Sequence, residues 1–355
     1  MRNFNRLKSF SLTSDFCPLI YLLLFLTSGF CSAQDIAIHH IDVGQGDCTF
    51  IQTPSKTILV DAGNSGKGKS VVIPYLKSLR VSRINYVVAS HYHADHIGGL
   101  DEILDAFNVD TVFDRGTLHP VPRSKIYSSY VEAIGKTPRV AVQRGTRFSV
   151  GPRVVLRFVA ADGKCEGDEP ATINEATERS IDENSLSIAF TIAFVDTVSL
   201  STTNSEPRTR FAYFTAGDLT GYDDRDAIDL ETSVAGLVGH IAAMKVNHHG
   251  SRSSTNPTFI STLSPACVFI SLGRNNSYGH PAQEVIKRLQ QQPAIQWIYQ
   301  TEGKVSVSPK QKIVGTSVLR FYAKGDSSYF TVEWKANGKH SDGYRCRSVK
   351  LTVAP

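Results

Sequence analysis

Four side chains able to bind a metal ion fall within six residues of the segment SHYHADHIGG, which begins at Ser90. Imidazole and carboxylate ligands together suit zinc, and also manganese or iron. The apolar run that ends at Ser90 predicts a buried strand, so the motif lies at a carboxyl end, where α/β sheets place their sites. In a tight turn we expect His91 and His93 to face one metal ion, and Asp95 and His96 to face a second.

The segments around this motif predict the elements that position it. Strand-like patterns cover 36–53, 56–63 and 84–90, and helical spacing covers 71–79 and 98–108. This alternation predicts layered α/β packing. Later in the chain, strand patterns dominate 138–216 and recur at 242–249, at 266–273 and after about 310. Helical patterns cover 223–241 and 280–292, the latter with Pro281 in its first turn.

The first 33 residues have the pattern of a secretory signal peptide. Three basic residues precede an apolar run at 17–30, and the small residues Cys31 and Ala33 mark a cleavage site. The alternative is an uncleaved anchor, but a membrane span needs ~20 apolar residues. We therefore expect a secreted or periplasmic chain with no stable membrane association after cleavage.

Composition leaves several kinds of partner open. The chain has 355 residues, 41% of them hydrophobic, and a net charge of +5, which neither demands nor excludes a polyanionic partner. No Cys-x-x-Cys pair occurs, so a thiolate zinc site is not expected. Cys165 and Cys346 lie in polar segments, where an exported chain could pair them.

Several motifs together resemble one family. HIDVGQGDC, ILVDAGNSG, SHYHADHIGGL, TAGDLTG, NHHGSRSS and SLGRNNSYGHP occur in that order. The sequence resembles the metallo-β-lactamase superfamily, and within it the hydrolase domain of ComEC-like DNA-uptake proteins, over about residues 38–307. The resemblance implies a four-layer αββα sandwich with a metal site at the mouth between two sheets. It divides the chain into a hydrolase domain at 34–309 and a β-rich extension at 310–355, which either completes the sandwich or forms an added module.

The resemblance also implies site residues. Asp218 matches the aspartate that bridges two divalent cations, which we expect to be zinc, with manganese as the alternative. His249 is the predicted ligand of the pair at 248–249, because neighbouring strand residues point opposite ways. Asp95, His248 and His280 are the predicted catalytic residues. The alternative for His280 is a structural role, as a polar residue that caps the following helix.

Other positions stay open at this stage. Many superfamily members carry a further histidine where Asn184 stands, and His119 is a candidate substitute, although its loop context favours the surface. Gln45 and Asp47 either make the glycine turn or approach the site, and Asp61 is expected to orient the ligand loop.

Two divalent cations lower the pKa of a bound water toward neutrality, so the predicted reaction is hydrolysis. The resemblance favours a phosphodiester, with DNA as one candidate substrate, and His248 or His280 as proton donor to the leaving group. Lys245, Arg252 and Arg274 adjoin the motifs and could bind phosphate or be ordinary surface charges.

Two other functions stay open. One is hydrolysis of another ester class by a phosphorylcholine esterase, lactonase or β-lactamase, and an aromatic cage would favour choline. Candidates for such a cage are Tyr92, Tyr127, Tyr130, Tyr222 and Tyr278. The other is a binding protein that uses the same fold without catalysis.

Overall fold

Two nine-stranded sheets form the centre of the protein in the computed structural model. The structure describes residues 34–169, 181–196, 208–303, 308–335 and 339–346. The predicted signal peptide, residues 1–33, lies outside the described residues. Within the described ranges, no helix has the length and apolar character needed to cross a membrane.

The first sheet takes its central strands from the N-terminal part of the described chain. Its first six strands are β1 (Ile36–His40), β2 (Thr49–Gln52), β3 (Thr57–Val60), β4 (Arg83–Val88), β5 (Asn108–Asp114) and β6 (Arg139–Ala141). β1 to β3 pair antiparallel, whereas β3 to β6 are parallel. The continuous apolar runs of β3 and β4 fit strands that are covered on both faces.

The second sheet follows along the chain. Its strands are β7 (Arg147–Gly151), β8 (Val154–Ala161), β9 (Lys164–Cys165), β10 (Ala189–Val195), β11 (Thr209–Thr215), β12 (Ala243–Lys245), β13 (Cys267–Ile270), β14 (Trp297–Gln300) and β15 (Gln311–Ile313). β11 to β15 are parallel, so their carboxyl ends lie at one edge.

The last three strands return to the first sheet. They are β16 (Ser317–Lys324), β17 (Ser327–Lys335) and β18 (Lys339–Arg345), and β16 pairs antiparallel with β1. The residues after 310 therefore add one strand to the second sheet and three to the first.

Helices cover the outer face of each sheet. They are α1 (Ile73–Ser78, preceded by a π-helical turn at Gly68–Val72), α2 (Ala94–Ile97), α3 (Leu100–Ala106), α4 (Lys125–Ile134), α5 (Glu231–Val238), α6 (Pro257–Leu263) and α7 (Gln283–Gln291). One apolar cluster lies between the sheets, and two others join each sheet to its helices. The predicted αββα sandwich is confirmed.

Three local predictions were wrong. The helix predicted at 223–241 begins only at Glu231, because aspartates accept backbone N–H groups in a turn before it: Asp229 N donates to Asp223 Oδ1 at 2.9 Å. The helix predicted at 280–292 begins at Gln283, after Pro281. Cys165 and Cys346 are both free thiols rather than a disulfide, and Cys165 is buried in the apolar cluster under the helices of the second sheet.

Candidate metal centre

The predicted site residues come from the carboxyl ends of four strands. His91 follows β4, Asp218 follows β11, His249 follows β12, and His280 follows β13. Because parallel strands end at a common edge, these distant segments meet there. The site therefore lies at the edge where the two sheets face each other.

The first ligand group contains three of the predicted residues. One ligand atom each from His91, His93 and Asp218 lies within 4.8 Å of the others. His91 Nε2 is 3.0 Å from His93 Nδ1 and 3.9 Å from Asp218 Oδ2. The structure thus brings the first two histidines of the motif together with Asp218.

The second ligand group contains Asp47, His96, Asp218 and His249, again within 4.8 Å. His96 Nε2 lies 3.3 Å from Asp218 Oδ1, and His249 Nε2 lies 3.6 Å from Asp218 Oδ2. Asp218 is thus common to both groups, as a bridging aspartate must be. Asp95 falls outside this group, although its Oδ2 is 3.3 Å from His249 Nε2.

Buried atoms without hydrogen bonds test whether these residues fit a metal ion. His96 Nε2, His249 Nε2, Asp218 Oδ1 and Asp47 Oδ1 are all buried and have no hydrogen-bond partner among the described residues. Buried polar atoms are normally paired. Four unpaired atoms of metal-ligand type around one point fit a divalent cation.

Neighbouring groups fix the orientation of two of these imidazoles. His96 Nδ1–H donates to Asp61 Oδ2 at 2.8 Å, and His249 Nδ1–H donates to the Ser271 carbonyl at 2.8 Å. Each Nε2 therefore keeps its lone pair toward Asp218, the arrangement found in metal sites. Asp61 is an orienting residue, as predicted, and it also accepts Ser90 N–H and Oγ–H.

The turn at 247–250 brings both neighbouring histidines to the site. His248 and His249 have φ values of 48° and 52°, so they lie in a left-handed turn after β12 and not in a strand. His248 Nε2 is 3.7 Å from Asp218 Oδ2, almost the same distance as His249. The strand alternation used to separate their roles does not apply.

Glu231 holds this turn, and sequence patterns gave no signal for it. Its fully buried carboxylate accepts Asn247 Nδ2–H at 2.7 Å, Thr255 N–H at 2.6 Å and Asn256 N–H at 2.7 Å. Burial raises the pKa of Glu231 to about 7. The carboxylate joins both ends of the loop that carries the histidine pair.

The electrostatics of the site separate its histidines into two kinds. Burial lowers the pKa of His91 and of His248, and it lowers that of His280 to about 4. Burial acts in the same direction on His96 and His249, but the neighbouring carboxylates, Asp218 foremost, together outweigh it and raise the pKa of both. His280 is therefore neutral at pH 7, with one N–H available as a donor.

Residues 41–169 match the family model described as the metallo-beta-lactamase superfamily. The chain contains a metallo-beta-lactamase superfamily domain. The family resemblance found in the sequence is confirmed.

Two curated relatives come from bacteria. The chain is 24% identical to ComE operon protein 3 of Bacillus subtilis, over 90% of this chain and 39% of that protein. It is 23% identical to competence protein ComA of Neisseria gonorrhoeae, over 72% of this chain and 30% of that protein. The chain thus spans well under half the length of these relatives. Among solved structures, CmlA, a diiron β-hydroxylase from Streptomyces venezuelae, has a TM-score of 0.46 and 14% identity, covering 81% of this chain and 54% of that chain.

Asp47 and Lys245 form an ion pair beside the candidate metal centre. Lys245 Nζ donates to Asp47 Oδ2 and, at 2.7 Å, to the Gly217 carbonyl. The sequence suggested that Lys245 is either a phosphate contact or a surface charge. Both interpretations are wrong, because Lys245 is 1% exposed. Arg252 and Arg274 are exposed, as a phosphate contact requires.

His119 lies differently from expectation, and the position of Asn184 was left open by the sequence. His119 is buried rather than at the surface, with Nε2 3.6 Å from Asp162 Oδ1, and it belongs to neither ligand group. Asn184 is buried, and its Oδ1 has no hydrogen-bond partner among the described residues. The neighbouring Ser187 Oγ accepts Asp218 N–H at 3.2 Å.

The candidate cage tyrosines do not gather at the site. Tyr92, Tyr127 and Tyr130 are buried together under the first sheet, whereas Tyr222 and Tyr278 are exposed. His280 does lie at the site, with its ring centroid 5.6 Å from that of His248.

Proposed function

We propose that this protein is an exported, metal-dependent phosphodiesterase. The observation that carries the proposal is the pair of ligand groups that share Asp218, with unpaired ligand atoms buried between them. Two divalent cations held there, most simply zinc, would lower the pKa of a water and offset charge on the substrate phosphate.

Other residues of the chain would orient the ligands and donate protons. Asp61 and the Ser271 carbonyl keep the Nε2 atoms of His96 and His249 aimed at Asp218. His280 and His248 line the outer side of the centre, where an N–H can donate to a phosphate oxygen or to the leaving group. Asp95 lies against His249 and helps hold the imidazole in place.

The phosphodiester is favoured over other esters by two observations. Exposed Arg252 follows β12, as His249 does, and exposed Arg274 follows β13, as His280 does, so both can pair with phosphate oxygens near the centre. The relative from Neisseria gonorrhoeae is a competence protein, and this supports nucleic acid as the polymer.

Hydrolysis of bis-p-nitrophenyl phosphate tests the proposal. Protein stripped of metal should be inactive, should regain activity with zinc or manganese, and should lose it in His93→Ala and in Asp218→Ala. His340→Ala, an exposed histidine on β18, is the matched control. Two bound metals without turnover would favour another ester class, such as a phosphorylcholine ester, lactone or β-lactam. Protein that binds no metal would support a non-catalytic scaffold.

Export is tested separately. The protein recovered outside the cytoplasm of its host should begin at Gln34. An N-terminus that keeps residues 1–33 would contradict cleavage.

A further inference from the structure

One exposed aromatic side chain adjoins the candidate metal centre. Among the described residues, the large apolar side chains classed as exposed are Val140, Tyr222, Tyr278 and Tyr329. Tyr278 is 71% exposed, far more than the other three. Covering an exposed aromatic ring removes apolar surface from water, which is favourable, so a flat ligand bound beside the metal centre would gain affinity from contact with Tyr278.

Three rings run outward from the centre in nearly parallel planes. The His249 and His280 rings lie 6.4 Å apart with an interplanar angle of 24°, and the His280 and Tyr278 rings lie 5.7 Å apart at 13°. Exposure rises along this series, from buried His249 to exposed Tyr278. One face of Tyr278 is therefore covered by His280, and its high exposure leaves the other face open.

The Asn276 side chain ties together the two ends of the loop that carries Tyr278. Asn276 Nδ2–H donates to the carbonyls of Gly273 and His280, both at 2.9 Å, and Asn276 Oδ1 accepts His280 N–H at 2.9 Å. These bonds join the two ends of the loop. The backbone that carries the ring is therefore held, which reduces the entropy lost when a ligand stacks on Tyr278.

Space for a ligand lies along the same loop. An open cavity of about 490 Å³ is lined by Gln45, Gly273, Arg274, Asn275, Asn276 and Glu302. Gln45 also reaches the metal centre, with Nε2 3.5 Å from Asp95 Oδ2. A group attached to a phosphate at the centre can thus extend past Gln45 toward the loop.

We propose that Tyr278 is a stacking platform for a nucleobase next to the phosphate that is hydrolysed. A single open ring face with a planar neighbour behind it suits a flat aromatic group, since bases stack on aromatic side chains whatever their identity. A quaternary ammonium group would instead need several rings around it. This inference rests on the proposed phosphodiesterase function and names the kind of substrate.

Calorimetric binding of thymidine 5′-monophosphate and of inorganic phosphate to the zinc-loaded protein tests the platform without turnover. Tyr278→Ala should weaken nucleotide binding about tenfold or more and change phosphate binding less than twofold. Tyr278→Phe should bind as the wild type does. Tyr329→Ala is the matched control, because Tyr329 is also exposed and stacks on Tyr322 at 5.0 Å, in β16 and β17.

The proposal is overturned if Tyr278→Ala binds the nucleotide normally, or if the wild type binds it no more tightly than phosphate. Equal losses for both ligands would also overturn it, since the ring would then not contact the base. Weakened binding of phosphorylcholine with unchanged nucleotide binding would assign the ring to a cation. If Tyr278 does not bind a base, the protein should still hydrolyse bis-p-nitrophenyl phosphate. The two proposals can therefore be refuted separately.

Discussion

Replacing Asp61 by asparagine should weaken metal binding while preserving the fold. Asp61 has φ of 58°, a conformation that asparagine tolerates well, so the backbone need not move. Its Oδ1 accepts Ser90 N–H at 2.8 Å, and its Oδ2 accepts His96 Nδ1–H at 2.8 Å. The substitution changes one acceptor oxygen into an NH2 donor in a fully buried position.

Both orientations of the new amide are unfavourable. If the NH2 faces His96, it turns Nδ1 into an acceptor and moves the imidazole proton to Nε2, which removes the lone pair that a metal needs. If the NH2 faces Ser90, two buried N–H donors oppose each other, at a cost of about 1–3 kcal/mol. Substitutions that disturb the orientation of a ligand histidine typically cost 10–100-fold in metal affinity, or about 1.4–2.8 kcal/mol.

Zinc affinity is measured by competition with a chromophoric chelator, and the His96 tautomer by NMR of ¹⁵N-labelled imidazole. Asp162→Asn is the matched control, because Asp162 also has φ of 58° but belongs to neither ligand group. We expect the control to bind zinc normally. Asp61→Asn protein that is folded, keeps its proton on Nδ1 and binds both metals with wild-type affinity would refute the reasoning.

Three further substitutions probe the support of the centre. Glu231→Ala leaves three buried donors without an acceptor and should lower the free energy of unfolding by about 3 kcal/mol or more at pH 5. Burial raises the pKa of Glu231 to about 7 from 4.5, so wild-type stability falls as pH rises through that window, and urea titrations should find a smaller loss at pH 8. Gly217→Ala, at φ of 51° with the new Cβ 2.5 Å from a buried hydroxyl oxygen, should lower Tm and metal content together. Gly167→Ala, at φ of 92° with open space, should show only the backbone effect. Lys245→Met leaves Asp47 unpaired, so the metal-free protein should melt earlier and zinc should raise its Tm more than that of the wild type.

Local patterns predicted most of the fold and the first half of the site. Continuous apolar runs such as β4 report burial on both faces, and the strand end fixes where the next residues lie. His91, His93 and His96 therefore reach the centre as expected. This information is contained in one segment of chain, so a single sequence can supply it.

The remaining parts of the site depend on backbone conformation and long-range contacts. The roles of His248 and His249 could not be separated by strand alternation, because the chain leaves the strand at Lys245 and enters a left-handed turn. Asp47 and Lys245 are 198 residues apart in sequence, and Glu231 holds a loop more than fifteen residues further along. Nothing local in the sequence links such pairs.

The charges of the centre explain why protons and divalent cations compete for it. Asp47, Asp95 and Asp218 lie close together, and Lys245 compensates only one of them. Burial acts to raise the pKa of Asp218, but His96 and His249 hold it well below its usual range. These imidazoles gain proton affinity in return, because each faces a carboxylate. Since a metal ion needs the same Nε2 lone pairs, its binding must release the protons, and the apparent metal affinity of the centre rises with pH.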